Sequence, residues 1–286
     1  MEFLKYHALG NDYLVLTSGD LESAEEGLTV EKIRKICHRN FGLGSDGLLV
    51  GGRDSSGKGF KLTIFNPDGS LAEKSGNGLR IFARSLWDRK MVNVSPFQIM
   101  TSGGPVSARI KDLGKFVIVE MGRVSFQSDI IPVTGKSREV INETLEINGE
   151  KITFCSANIG NPHCIVLNLN VTRQEAIRVG PLLEKHSNFP NDTNVQFLEV
   201  LNRKTIRIEI WERGAGYTLA SGSSSSAAAA VAYRLGYCDA EISVLMPGGQ
   251  IDITIGENYE ITMKGSVTRI GKIKLDLECM DFEIPA

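Results

Sequence analysis

Apolar and polar positions alternate along FKLTIFN, residues 60–66, with Phe60, Leu62 and Ile64 on one side of the chain. The same alternation runs through IRIEIWE, residues 206–212, with Ile206, Ile208 and Ile210. A period of two predicts a strand with one buried face. Each strand leads through a glycine-rich turn to a serine and then to a helix-like run. After the first serine, Leu79, Phe82, Ala83 and Leu86 recur at helical spacing, which predicts a helix with one apolar face. After the second, the run closes at Gly236, placed as a C′ glycine. The strand starts (60 and 206) and the serines (75 and 221) are both separated by 146 residues.

Further landmarks match in the same order. MTSGGPVSARI (100–110) parallels LMPGGQIDITI (245–255), and GNDYLVL (10–16) parallels GNPHCIVL (160–167). An ordered set of matches at a nearly fixed offset is the signature of an internal duplication. Each half also predicts an earlier helix, over 29–42 and over 172–186. Thr172 and Glu175 form a capping box, T-x-x-E, whereas Thr29 and Lys32 do not. The polar stretch 135–151 reads as a loop between the halves with a hairpin at Asn148-Gly149. The last strand, 269–278, is expected to return to the first half. The fold expected is α+β: two homologous domains, residues 1–121 joined by 267–286, and residues 122–266, each mostly strand with one prominent helix.

Composition narrows the function. A chain of 286 residues is long enough for two domains of roughly 100–200 residues. Its 42% hydrophobic and 23% charged content is that of a soluble globular protein. A net charge of −2 without a long basic run argues against a nucleic-acid partner. No apolar run is long enough for a membrane span, and MEFLKYHALG is not a secretory leader, so a cytoplasmic protein is expected. Five scattered cysteines (37, 155, 164, 238 and 279) show no metal-ligand spacing and read as reduced, mostly buried thiols.

The chemistry concentrates at the two serine turns, KSGNG and ASGSS. Ser75 and Ser221 read either as plain helix caps or as parts of a site. A helix N-terminus presents free N–H groups to an anion, and the glycines let a ligand approach the backbone. Duplication favours the second reading. Two homologous halves related by a pseudo-twofold bring equivalent groups to opposite faces of one small molecule, the geometry of stereoinversion by paired proton transfers. Tyr13 and Phe65, at strand positions, read as core.

HALGNDYLVL, FNPDGSLAEKSGNGLRIFAR, GNPHCIVL and ERGAGYTLASGSSSSAAAA, spread over the whole length, resemble the diaminopimelate epimerase family. The resemblance implies two pseudo-symmetric domains, each a strand-rich, barrel-like sheet around a central helix. It implies isomerisation of a small amino acid, LL- and meso-diaminopimelate, without PLP or a metal, by a homodimer. The family's catalytic pair is two cysteines, and Ser75 and Ser221 occupy their positions here. A thiol ionises near 8.5, and lower at a helix N-terminus, whereas a serine hydroxyl needs an activating base. The rest of the implied site is present. Asn11, Asn66, Asn161, Asn194 and Arg213 bind the distal end of the substrate. Gly76, Asn77, Gly222 and Ser223 offer N–H groups to the reacting carboxylate. His163 and Glu212 set protonation and hold the α-amino group. Asn11 and Asn66 read also as turn residues, His163 as a surface histidine, and Arg213 as the partner of a nearby acid. Tyr217, Ile81 and Lys74 depart from the family pattern. Three readings stay open: an epimerase, disabled or slowed by its serines; a racemase or epimerase of another amino acid; and a non-catalytic amino-acid-binding relative.

Overall fold

The computed structural model describes residues 1–17, 28–54, 57, 59–167, 169–276 and 278–281. It divides into two compact units, Met1–Val119 with the segment from Gly265 onward, and Glu120–Lys264. The first unit contains β1 (Glu2–Ala8), β2 (Asn11–Thr17), α1 (Val30–Cys37), β3 (Leu48–Arg53), β4 (Phe60–Phe65), β5 (Leu71–Ala72), α2 (Gly76–Asp88), β6 (Phe97–Thr101) and β7 (Gly104–Lys111). β8 (Phe116–Arg123) carries the chain out of it. The returning strand Thr268–Lys274 pairs antiparallel with β1. From β1 the ladder runs antiparallel to β2, parallel to β3, antiparallel to β4, parallel to β6 and antiparallel to β7. β5 adds a short antiparallel pair beside β4.

The second unit contains β9 (Glu143–Ile147), β10 (Glu150–Asn158), β11 (Pro162–Val166), α3 (Arg173–Glu184), β12 (Asn194–Asn202), β13 (Thr205–Glu212), β14 (Gly216–Thr218), α4 (Gly222–Arg234), β15 (Glu241–Met246) and β16 (Gly249–Ile255). Its ladder repeats the first. β10 is antiparallel to β9 and β11, β11 parallel to β12, β12 antiparallel to β13, and β13 parallel to β15, which is antiparallel to β16. β14 sits on β13 as β5 sits on β4. The repeat seen in sequence is therefore a repeat of topology.

Three expectations change. The first helix ends at Cys37, not at 42, because His38 is extended and its Nδ1 accepts from the N–H groups of Asn40 and Phe41, which closes a turn. Residues 143–147 of the polar stretch form a strand, and Asn148-Gly149, both at positive φ, turn it into β10. Helix α2 is apolar on more than one face. Leu79, Ile81, Phe82, Ala83 and Leu86 are all fully buried, because the helix packs against β1, β2 and β7. Helix α4 is buried through Ser224–Ala232, and these small side chains let surrounding strands come close.

Ile81 lies off the face that periodicity marks as apolar, yet it is as buried as Leu79. Ile81→Ala and Leu79→Ala are each expected to cost about 2–5 kcal/mol, measured by urea unfolding. A cost below about 1 kcal/mol for Ile81→Ala would place that face against solvent.

Candidate active site

The two serines cap the two central helices. Ser75 has extended backbone (φ −137°, ψ 118°), and its Oγ accepts from Gly78 N–H at 3.0 Å. Ser221 has φ −144° and ψ 129°, and its Oγ accepts from Ser224 N–H at 3.4 Å. Each hydroxyl thus meets one of the N–H groups that a helix start leaves without an intrahelical partner. At Gly78 a Cβ would lie 3.2 Å from the Ser75 Cβ and 3.3 Å from its Oγ, a tight fit that glycine avoids, whereas the second half places Ser224 there.

A directed chain of hydrogen bonds runs behind Ser75. Arg80, fully buried in α2, donates to Asn77 Oδ1 at 2.8 Å and to the Gly76 carbonyl at 3.4 Å. Asn77 Nδ2 donates to Asn11 Oδ1 at 2.9 Å, and Asn11 Nδ2 donates to Asp46 at 2.9 Å. Arg39 closes the chain on Asp46 and Asp12, and Lys5 pairs with Asp12 at 3.0 Å. Burial pulls the Arg80 guanidinium down to about 10, which leaves it a cation at neutral pH. Burial also raises the Asp12 carboxyl, but the bonds from Arg39 and Lys5 outweigh it and hold the group below its ordinary range. The side-chain amides of Asn11 and Asn77 are therefore held by protein partners. Asn66 sits in a turn, with Nδ2 on Ser70 Oγ at 3.0 Å and its carbonyl accepting from Gly69 N–H.

The second half is wired with neutral groups. His163 Nδ1 lies 3.2 Å from Gln196 Oε1, and Nε2 lies 2.8 Å from Asn161 Oδ1. Gln196 Nε2 donates to Ser224 Oγ at 2.9 Å, which fixes its oxygen toward the imidazole. Both ring nitrogens thus face amide oxygens, and the neutral imidazole donates its one N–H to one of them. His163 is buried rather than at the surface. Burial pushes its pKa down to about 3, opposed by the Gln196 bond and reinforced by the charge of Arg213. Among the described residues, its link to Ser221 runs through Gln196 and Ser224. Ser221 Oγ itself lies 3.4 Å from Ser223 Oγ. Asn194 bridges this half: its Nδ2 donates to the Pro162 carbonyl at 2.9 Å and its Oδ1 accepts from Arg213 N–H at 3.1 Å. The exposed Arg213 guanidinium donates to the Asn191 carbonyl and forms no ion pair among the described residues. Glu212 ends β13, half-buried beside Arg213. Tyr217 donates to Glu209 at 2.7 Å, with Arg173 over its ring.

The structure thus joins Asn11 and Asn77 in one network, and Asn161, His163 and the Ser221 turn in another. It ties Asn66 to its own turn and Arg213 to Asn191 and Asn194. Sequence reasoning missed Tyr13, Asp46, Arg80 and Gln196. For Tyr13 a signal existed, since it holds the repeat position of His163. Among the described residues, no three metal-ligating side chains cluster and no helix is long and apolar enough to cross a membrane.

His163 yields a pH prediction. A proton binds the unfolded imidazole near 6.5 but the folded one only near 3. Its contribution to stability is complete above 6.5 and is lost as pH falls toward 3, by at most roughly tenfold in the unfolding constant per pH unit. Thermal melts at pH 7 and pH 5 are expected to show a fall that His163→Gln reduces. An equal fall in both chains would contradict the burial of a neutral imidazole.

Comparison with known proteins covers the full length. The family model for diaminopimelate epimerase matches residues 3–127 and 155–270. The chain is 57% identical over 283 residues to "Diaminopimelate epimerase 2" of Nostoc sp., covering 99% of this chain and 98% of that one. It is 34% identical to diaminopimelate epimerase of Desulfitobacterium hafniense, covering 95% and 97%. Among solved structures, a probable proline racemase from Agrobacterium radiobacter has a TM-score of 0.71 at 14% identity, covering 96% of this chain and 93% of that one. A predicted epimerase from Pseudomonas aeruginosa has a TM-score of 0.68 at 14% identity, covering 96% and 98%. These two share the fold.

Proposed function

Since this chain belongs to the diaminopimelate epimerase family, we propose that it is an isomerase that interconverts LL- and meso-diaminopimelate in lysine synthesis. Proton transfer occurs at Cα without a cofactor, and Ser75 and Ser221 stand as the proton-transfer groups for its two faces. The observation that carries this reading is the repeated cap. In both halves a serine at the position the resemblance gives to a catalytic cysteine opens a buried helix. The N–H groups of Gly76 and Asn77, and of Gly222 and Ser223, serve the reacting carboxylate, which takes up charge as the α-carbon becomes carbanionic. Fixed donors at that point supply the largest electrostatic term. Asn11, Asn66, Asn161, Asn194 and Arg213 serve the distal end of the substrate, and His163 and Glu212 support the Ser221 half. We place the enzyme in the cytoplasm as a homodimer, which the resemblance and five unpaired cysteines support.

A second reading has its own observation. Tyr217, where the resemblance implies Glu, is bonded to Glu209 and covered by Arg173. A pocket changed there suits a racemase or epimerase of another amino acid.

The test is hydrogen exchange at Cα of diaminopimelate in D₂O, with the native chain and with Ser75→Cys/Ser221→Cys. Slow exchange in the native chain and a gain of about hundredfold or more in the double variant are expected. Tight binding with no exchange in either chain would make this a binding relative. Absence of diaminopimelate binding would remove the substrate and favour the second reading.

A further inference from the structure

A serine that takes a proton from carbon must give up its own, so the group bonded to its hydroxyl decides whether it works. Among the described residues, the Ser75 hydroxyl meets Gly78 N–H and, at 3.3 Å, the phenolic hydroxyl of Tyr13. Gly78 N–H is a donor that cannot accept a proton. Tyr13 is therefore the titratable group in hydrogen-bond contact with Ser75 among the described residues. The ring is 6% exposed, and Gly47 makes room for it, since a Cβ at that position would come within 2.6 Å of the tyrosine Cε1. Ser221 is placed differently. Its hydroxyl meets Ser223 Oγ and Ser224 N–H, neither of which is an acid or base near neutral pH. The residue at the repeat position of Tyr13 is His163, which is turned to Gln196 and Asn161. The two halves thus differ at the point where a serine needs help.

We propose that Tyr13 is the proton acceptor of the Ser75 half, working through Ser75 rather than on the substrate. This rests on the epimerase reading above. A phenol ionises near 10, well below an aliphatic hydroxyl, so the phenolate is the form that acts. As the α C–H bond breaks, its electron pair stays on carbon and its proton forms a new O–H bond to Ser75 Oγ. In the same step the former Ser75 proton passes to the Tyr13 oxygen. One proton has moved from carbon to tyrosine, and the negative charge has moved from phenolate to the carboxylate-stabilised carbanion. The reverse step returns a solvent-exchanged proton to carbon on that face. A contact of 3.3 Å is long for a hydroxyl pair, and hydrogen bonds of this kind shorten when substrate arrives.

A double-mutant cycle separates this role from simple packing. Tyr13→Phe removes only the hydroxyl and keeps the ring. Exchange of the α-hydrogen of diaminopimelate with D₂O is followed by mass spectrometry in four chains: native, Tyr13→Phe, Ser75→Cys, and both together. A cysteine ionises by itself, so removing the tyrosine hydroxyl is expected to cost at least about tenfold more in the native background than in the Ser75→Cys background. Equal losses in the two backgrounds would make Tyr13 a structural residue and overturn the proposal. So would native exchange that Tyr13→Phe leaves unaltered, or exchange present in the Ser75→Cys chain and absent from the native one. If Ser75→Cys neither binds nor exchanges diaminopimelate, the substrate assignment fails instead, and the same cycle run on the amino acid that does bind decides for or against Tyr13.

Discussion

The first turn of each central helix is buried, so its N–H groups have to be satisfied by protein or by a ligand, not by bulk water. An unmet buried N–H costs about 1–3 kcal/mol, and a serine hydroxyl meets one at each start. Much of the local design follows. Each cap residue must be extended, small and polar, and the residue three positions on supplies the N–H that it accepts. The remaining N–H groups point the same way and suit a carboxylate. A cysteine would fit the same backbone with a more acidic side chain, and a serine gives better capping with poorer acid–base chemistry. The position is thus fixed by helix burial, while in the proposed reaction the identity of the side chain sets the rate of proton transfer.

The two halves share a ladder but not an electrostatic design. Arg80 and Ser226 hold equivalent places in the repeat, both are fully buried, and both donate to the carbonyl of the glycine that opens the helix. The first half thereby carries a buried cation, linked through Asn77 and Asn11 to Asp46 and Arg39. The second carries hydroxyls, amides and a neutral imidazole. A buried guanidinium strengthens the field at its helix start, and neutral groups do not. In the proposed reaction the two halves have unlike tasks at any moment, one receiving a proton and the other giving one, so unequal wiring on an equal scaffold suits that chemistry.

Much of this was legible in the sequence because it depends on local periodicity and on order along the chain. The alternation at 60–66 and 206–212 became β4 and β13, and the turns at Ser75 and Ser221 became helix caps. What stayed hidden depends on long-range packing. Ile81 looks like a surface position to a helical period, but three strands surround the helix that carries it. The stop at Cys37 depends on a histidine side chain folding back on its own turn. Arg80 reads as an ordinary charged residue until the strands close over it. The pairing of Tyr13 with Ser75 spans 62 residues and cannot be read from either segment alone. The resemblance marks His163 as part of the site, yet only the fold shows that burial keeps it neutral, against the pull of the Gln196 amide.

The central proposal is that the serine-capped helix starts of both halves serve the reacting carboxylate of the amino-acid substrate. Amide NMR of the native chain during titration with meso-diaminopimelate addresses it directly. The N–H signals of Gly76, Asn77, Gly222 and Ser223 are predicted to shift together along a single saturation curve. Shifts confined to one helix start, or saturation at both with different affinities, would contradict the claim.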